Sequence, residues 1–158
     1  MIRFKNNFFI LVFFLNISFL EAKIIKPNEA IKPIKVVRIQ LNGLMKNDLG
    51  YKDEGIEQTW EFAHPNNKIF TGPLNRFKEM IKGDSYKMLI NHKDHKIEEI
   101  YSDEKTVVFK VVVLDHEKKY FMFKWQVEKY LDNGPLKNCW LTTVVLSLIH
   151  ISEPTRPY

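Results

Sequence analysis

Apolar residues recur at helical spacing through the first part of this chain and alternate through the second, with the change at Gly83. From Pro33 onward, Ile34, Val37, Leu41, Leu44 and Met45 form one stripe, with Lys35, Asn42 and Lys46 opposite. That i, i+3, i+4 period predicts an amphipathic helix. Pro33 suits its first turn, where a missing N–H costs nothing, and Asn47-Asp48-Leu49-Gly50 stops it. A second helix is predicted over Asp53 to Ala63, with Ile56, Thr59, Trp60 and Ala63 on one stripe, ending before Pro65, which disfavours a helical residue ahead of it. A third starts at Thr71-Gly72-Pro73, carries Leu74, Phe77, Met80 and Ile81 on its apolar face, and ends at Gly83.

Beyond Gly83 the period becomes that of strands. Five are predicted: Tyr86 to Asn91, Lys96 to Tyr101, Thr106 to Leu114, Lys119 to Lys129 and Asn138 to Leu146. In the fourth, Phe121, Phe123, Trp125 and Val127 face one way, and Met122, Lys124, Gln126 and Glu128 the other. The links Ser102-Asp103-Glu104 and Asp115 to Lys118 are of hairpin length, so consecutive strands are expected to pair antiparallel. The fold class is therefore α+β, with three N-terminal helices packed on a curved antiparallel sheet of about five strands.

With 158 residues, 45% hydrophobic and 13% aromatic, one domain can bury a core without disulfide or metal staples. Not all of the chain belongs to it. Arg3 and Lys5 precede an apolar run from Phe8 to Leu15 that resumes after Asn16 to Leu20, and Ala22 is small. This is the layout of a secretory signal peptide, residues 1–22, and too short for a membrane span of about 20 apolar residues. It directs the chain to the secretory pathway or beyond the cell, or to an organelle lumen. Residues 23–32 read as a solvated basic linker and 33–146 as the domain. Residues 147–158, from Ser147 to Tyr158, look like the in-frame translation of a sequencing adapter that contaminates some assembled gene models, and are expected to lie outside the fold.

The net charge of +5 is spread among acids, as in Asp115-His116-Glu117-Lys118-Lys119, rather than gathered in a stripe interleaved with aromatics. Nucleic-acid binding is not expected. Cys139 has no second cysteine to pair with and is read as a packed strand residue. His92 and His95 form a His-x-x-His pair beside Asp94, and His116 lies beside Asp115. A metal needs three or four converging ligands and such a pair supplies two, so these are read as solvated loop histidines. There is no Gly-rich phosphate loop, no Gly-x-Ser-x-Gly and no Cys-x-x-Cys, and no cofactor is expected.

The most distinctive segment is Trp60-Glu61-Phe62-Ala63-His64-Pro65-Asn66-Asn67-Lys68, followed by Thr71-Gly72-Pro73-Leu74 and Phe77. With Ile39-Gln40-Leu41 and Cys139-Trp140-Leu141-Thr142, it resembles a family of uncharacterised domains from bacteria and plants with the nuclear-transport-factor-two-like (cystatin-like) fold. The resemblance spans Val36 to Val145 and implies three helices over a strongly bent sheet, a cone with an apolar pocket, and no assigned activity. Some relatives of that fold use the pocket for isomerisation or dehydration, which takes a positioned acid or base in an apolar cavity. His64, Tyr86 and Asp103 are the candidates, set against plainer roles in a helix-to-loop turn, at a strand start and in a hairpin turn. The pocket candidates are Trp60, His64, Phe77, Tyr86, Trp125 and Trp140, with the tryptophans equally able to serve as core. Three readings follow: binding of a small apolar ligand or partner, a cofactor-independent lyase or isomerase, and a homodimer formed through the sheet face of Met122, Lys124 and Gln126.

Overall fold

The computed structural model describes residues 24–151. The predicted signal peptide and the last part of the tail, residues 152–158, lie outside the described residues. Four helices, α1 (Pro33–Met45), α2 (Glu54–Glu61), α3 (Pro65–Thr71) and α4 (Leu74–Lys82), precede β1 (Asp94–Ser102), β2 (Thr106–Leu114), β3 (Tyr120–Lys129) and β4 (Trp140–Ile151). The strands form one antiparallel sheet in the order β1-β2-β3-β4. The α+β class, the helices-first order and the meander agree with the sequence pattern. No helix among the described residues is long and apolar enough to cross a membrane.

The sheet has four strands where five were expected. Tyr86 to Asn91 is a turn containing a 3-10 segment, Lys87–Leu89. Leu89 N–H bonds to Tyr86 O and Ile90 N–H to Lys87 O, while Asn91, at φ 53°, turns its N–H to Leu44 O on α1. An apolar run this short satisfies both periods, since Tyr86 and Leu89 also stand three apart, and i to i+3 bonding won. The extra helix is α3. His64 is its N-cap, the Nδ1 accepting from Asn66 N–H at 3.1 Å, and Pro65 is its first residue. Pro73 is the N-cap of α4 and so precedes its first turn. Strand β4 begins at Trp140, leaving buried Cys139 just ahead of it, and runs to Ile151, past the domain end read at Leu146.

A single core cluster joins Val36, Val37, Leu41 and Leu44 of α1 to the odd-numbered positions of β2 and β3, among them Phe109, Val111, Phe123 and Trp125. Register places Phe109 opposite Trp125 and Val111 opposite Phe123, so the inward face is continuous across the two central strands. Bulges at Glu99/Tyr101, Met122/Phe123 and Gln126/Val127 interrupt the ladders, and bulges raise local twist. The linker segment is tied down at Ile25, whose N–H and C=O both bond to the Gln58 amide at 2.8 and 2.9 Å.

Candidate functional site

Between the helices and the β4 side of the sheet lies a cavity of about 350 Å³. Its walls are apolar for the most part: Leu44 from α1, Phe77, Met80 and Ile81 from α4, Leu89 from the 3-10 turn and Val145 from β4. The helix α3 closes one side with Asn67 and Thr71, which stand one turn apart, and points Ile69 and Phe70 into solvent at 76% and 81% exposure.

One buried polar group runs along the cavity. Gln40 replaces an aliphatic residue on the inward stripe of α1 and is 1% exposed. Its Oε1 accepts from Thr142 Oγ1 at 2.6 Å and from Trp125 Nε1 at 3.1 Å, and its Nε2 donates to Thr59 O at 3.0 Å. The last link satisfies a carbonyl in the final turn of α2, one of the groups a helix end leaves without an internal partner. Among the described residues no buried side-chain N or O lacks a partner, as an interior of low dielectric requires.

Of the sequence candidates, Phe77, Tyr86 and Trp125 line this cavity; Trp60, His64 and Trp140 are not among its lining residues. Trp60 stacks behind it, 4.9 Å from Phe77 with Lys68 Nζ 5.2 Å from its ring centre, and Trp140 packs against the core cluster. His64 is occupied at its Nδ1 by the α3 cap and lies 5.4 Å from the Tyr130 ring. Tyr86 donates its hydroxyl to Val145 O at 3.0 Å. Asp103 sits in the β1–β2 turn, its Oδ1 taking the N–H groups of Lys105 and Thr106 and its Oδ2 the Tyr101 hydroxyl. The residues that sequence reasoning missed are Gln40, Thr59, Asn67 and Thr142. The available signal was a glutamine three residues after Val37 and four before Leu44, a polar residue inside an apolar stripe.

The His-x-x-His pair is not solvated as expected. His92 is 2% exposed; its Nδ1 lies 2.7 Å from Leu89 O and its Nε2 2.8 Å from His95 Nδ1. Since a carbonyl can only accept, His92 carries its proton on Nδ1 and accepts from His95 at Nε2. Both nitrogens of His92 are thereby engaged, which removes it as a metal ligand in this arrangement. His116 is exposed, as read from sequence.

Burial holds both imidazoles below the ordinary 6.5, against the pull of the Leu89 carbonyl on His92 and of Asp94 on both. The unfolded chain therefore takes up these protons first. Their contribution to stability is constant above about 6.5 and falls as the pH drops below it. The carboxylates Glu57, Asp48 and Glu98 are shifted downward from 4.5 or 3.8 and lose their contribution only at lower pH. Urea midpoints should thus be level from pH 8 to 7 and decline from about pH 6.5 to 5, and His92→Leu should flatten that decline. A wild-type midpoint unchanged down to pH 5 would refute this account.

No protein-family model, no curated protein and no solved structure matches this chain.

Proposed function

We propose that this domain binds a small, largely apolar ligand in the cavity between its helices and β4, on a cone-shaped fold of the nuclear-transport-factor-two-like type. The observation that carries the reading is a mostly apolar cavity, about 350 Å³, whose polar side chains are held in place by hydrogen bonds within the protein. That volume lies at the lower end of small-molecule sites, which run from about 300 to 1,000 Å³ and pair apolar walls with few oriented polar groups. Four helices followed by a bulged antiparallel meander are compatible with the cone. The layout of residues 1–22 supports a place of work in the secretory pathway or outside the cell.

Binding is favoured over the lyase or isomerase reading because the cavity lining among the described residues contains no Asp, Glu, His, Lys, Arg or Cys. Tyr86 alone could exchange a proton there, and its hydroxyl is committed to a backbone carbonyl. The homodimer reading has less support. The face that would pair carries Lys96, Glu98, Lys110, Lys124 and Glu128 beside Val108, Val112 and Met122, with Lys110 paired to Glu98, and charges of this density are depleted at the core of an interface.

The test is titration of the full chain with N-phenyl-1-naphthylamine, a neutral probe that brightens in apolar surroundings. Saturable binding is expected. Met80→Trp, which fills the cavity from a half-buried position, should weaken it by about tenfold or more while leaving the melting temperature near that of the parent. Because any other apolar segment is shared by both chains, the comparison isolates the cavity. No saturable binding, or equal binding by the variant, would sink the reading.

A further inference from the structure

Nearly all the protons on the cavity's polar side chains are donated to acceptors within the protein, Thr143 reaching Gln126 O at 3.5 Å. Thr142 gives its hydroxyl proton to Gln40 Oε1 at 2.6 Å, and Thr59 gives its own to Gly55 O at 2.8 Å. Thr71 donates to Asn67 O at 2.8 Å and Tyr86 to Val145 O at 3.0 Å. The Asn67 amide donates to Thr142 O at 3.1 Å and to Thr143 O at 2.7 Å, two carbonyls of β4. Each of these side chains also lines the cavity. A hydroxyl that has donated its proton, or a carboxamide whose nitrogen is engaged, has only oxygen lone pairs left to offer. The remaining amide hydrogen of Gln40 is the exception, on a side chain 1% exposed.

From this we infer that the ligand is an uncharged molecule that brings its own hydrogen-bond donor, such as an alcohol or phenol on an apolar body, and that carboxylates and acceptor-only molecules are disfavoured. The inference rests on the binding role proposed above. A ligand hydroxyl or N–H meets free lone pairs without disturbing the protein. Apart from the spare amide hydrogen of Gln40, on a side chain 1% exposed, a ligand carbonyl or ether would be satisfied only if a lining hydroxyl such as that of Thr71, Thr142 or Tyr86 rotated its proton inward, which strips a half-buried or buried acceptor of its partner. A carboxylate fares worse, since the lining among the described residues offers no cation and the group would be taken out of water against oxygen lone pairs.

Displacement of N-phenyl-1-naphthylamine from the full chain by matched bicyclic competitors tests the inference. The set is 2-naphthol as donor, 2-methoxynaphthalene as its acceptor-only counterpart, and 2-naphthoate as the anion. The expected order places 2-naphthol about tenfold ahead of the methyl ether, with naphthoate weakest. Equal displacement by 2-naphthol and 2-methoxynaphthalene, or tighter binding of naphthoate, overturns the donor preference and leaves the binding role standing. If none of the three displaces a bound probe, the donor preference falls; if the probe itself does not bind, both fall.

Discussion

Gly55→Ala should destabilise the domain by about 3 kcal/mol, lowering the melting temperature by roughly 10 °C. A Cβ at Gly55 would lie 2.0 Å from Gly43 O, 2.5 Å from Gly43 C and 2.9 Å from the Cα of Asn47. All three are backbone atoms, so no rotamer change relieves the clash and α1 must move away from α2 by about an ångström. That movement would tear the turn joining them, where Gly55 N–H bonds to Asn47 O at 2.9 Å and Ile56 N–H to Asn47 Oδ1 at 3.1 Å. Neither Gly55 nor Gly43 sits at positive φ, so the effect is purely one of space. Gly43→Ala supplies the control. Its nearest contacts would be 3.3 Å to Gly55 O and 3.4 Å to Gln58 side-chain carbons, a mild squeeze offset by the roughly 1 kcal/mol that alanine gains over glycine in a helix. Urea denaturation of both variants decides the matter: if Gly55→Ala unfolds at the wild-type midpoint, or is no worse than Gly43→Ala, the close crossing is not as described. The crossing also bears on the site, because Gln40 and Thr59 lie about one turn from the contact on either helix and bond across it at 3.0 Å. Ligand binding should weaken along with stability.

The elements that were legible in the sequence are those with long, unambiguous periods. Helix α1 and strands β2 and β3 carry enough apolar positions that helical or alternating spacing identifies them; the buried residues of β3 fall on the predicted face, while α1 also buries Val36, Ile39 and Gln40, which lie outside the predicted stripe. Shorter segments were settled by contacts the pattern does not contain. Tyr86 to Asn91 became a 3-10 turn because Asn91 N–H docks on Leu44 O, at the far end of α1. Helix α3 buries none of its seven residues; it has no apolar stripe to read and is held by the His64 cap and by Asn67 reaching β4. The site was half legible for the same reason. Aromatic residues with obvious bulk, Phe77, Tyr86 and Trp125, were nominated and do line the cavity. Trp60 and Trp140 have equal bulk but do not line it, and only the three-dimensional path of the chain separates the two kinds. Thr59 and Thr142 are 83 positions apart in sequence and meet only through Gln40, a convergence that spacing along the chain does not encode. His92 was misread because a His-x-x-His in a polar turn looks solvated, while His92 is in fact enclosed and its partner His95 half-buried.

Gln40→Leu is expected to cost about 3 kcal/mol, although leucine is the more apolar residue and the position is buried. Three groups lose a partner together. The Thr142 hydroxyl is left without the acceptor it now reaches at 2.6 Å, Trp125 Nε1 keeps only Thr142 Oγ1 at 3.4 Å, and Thr59 O returns to being an unsatisfied helix-end carbonyl. Leaving a buried polar group unpaired costs about 1–3 kcal/mol, whereas removing both members of a pair is close to neutral. The double variant Gln40→Leu/Thr142→Val should therefore be less destabilised than the sum of its two single variants, by about 1 kcal/mol. That coupling separates a broken polar network from a mere packing defect, which would leave the two changes additive or worse. Equilibrium unfolding of the four chains gives the cycle. A Gln40→Leu variant as stable as the parent would mean that the amide is dispensable to the core. Additive losses would mean that the 2.6 Å contact between Gln40 and Thr142 contributes nothing of its own. With the expected coupling, the group that fixes the orientation of Thr142, and so turns its lone pairs rather than its proton toward a ligand, is the same group that holds α1, α2 and β4 together.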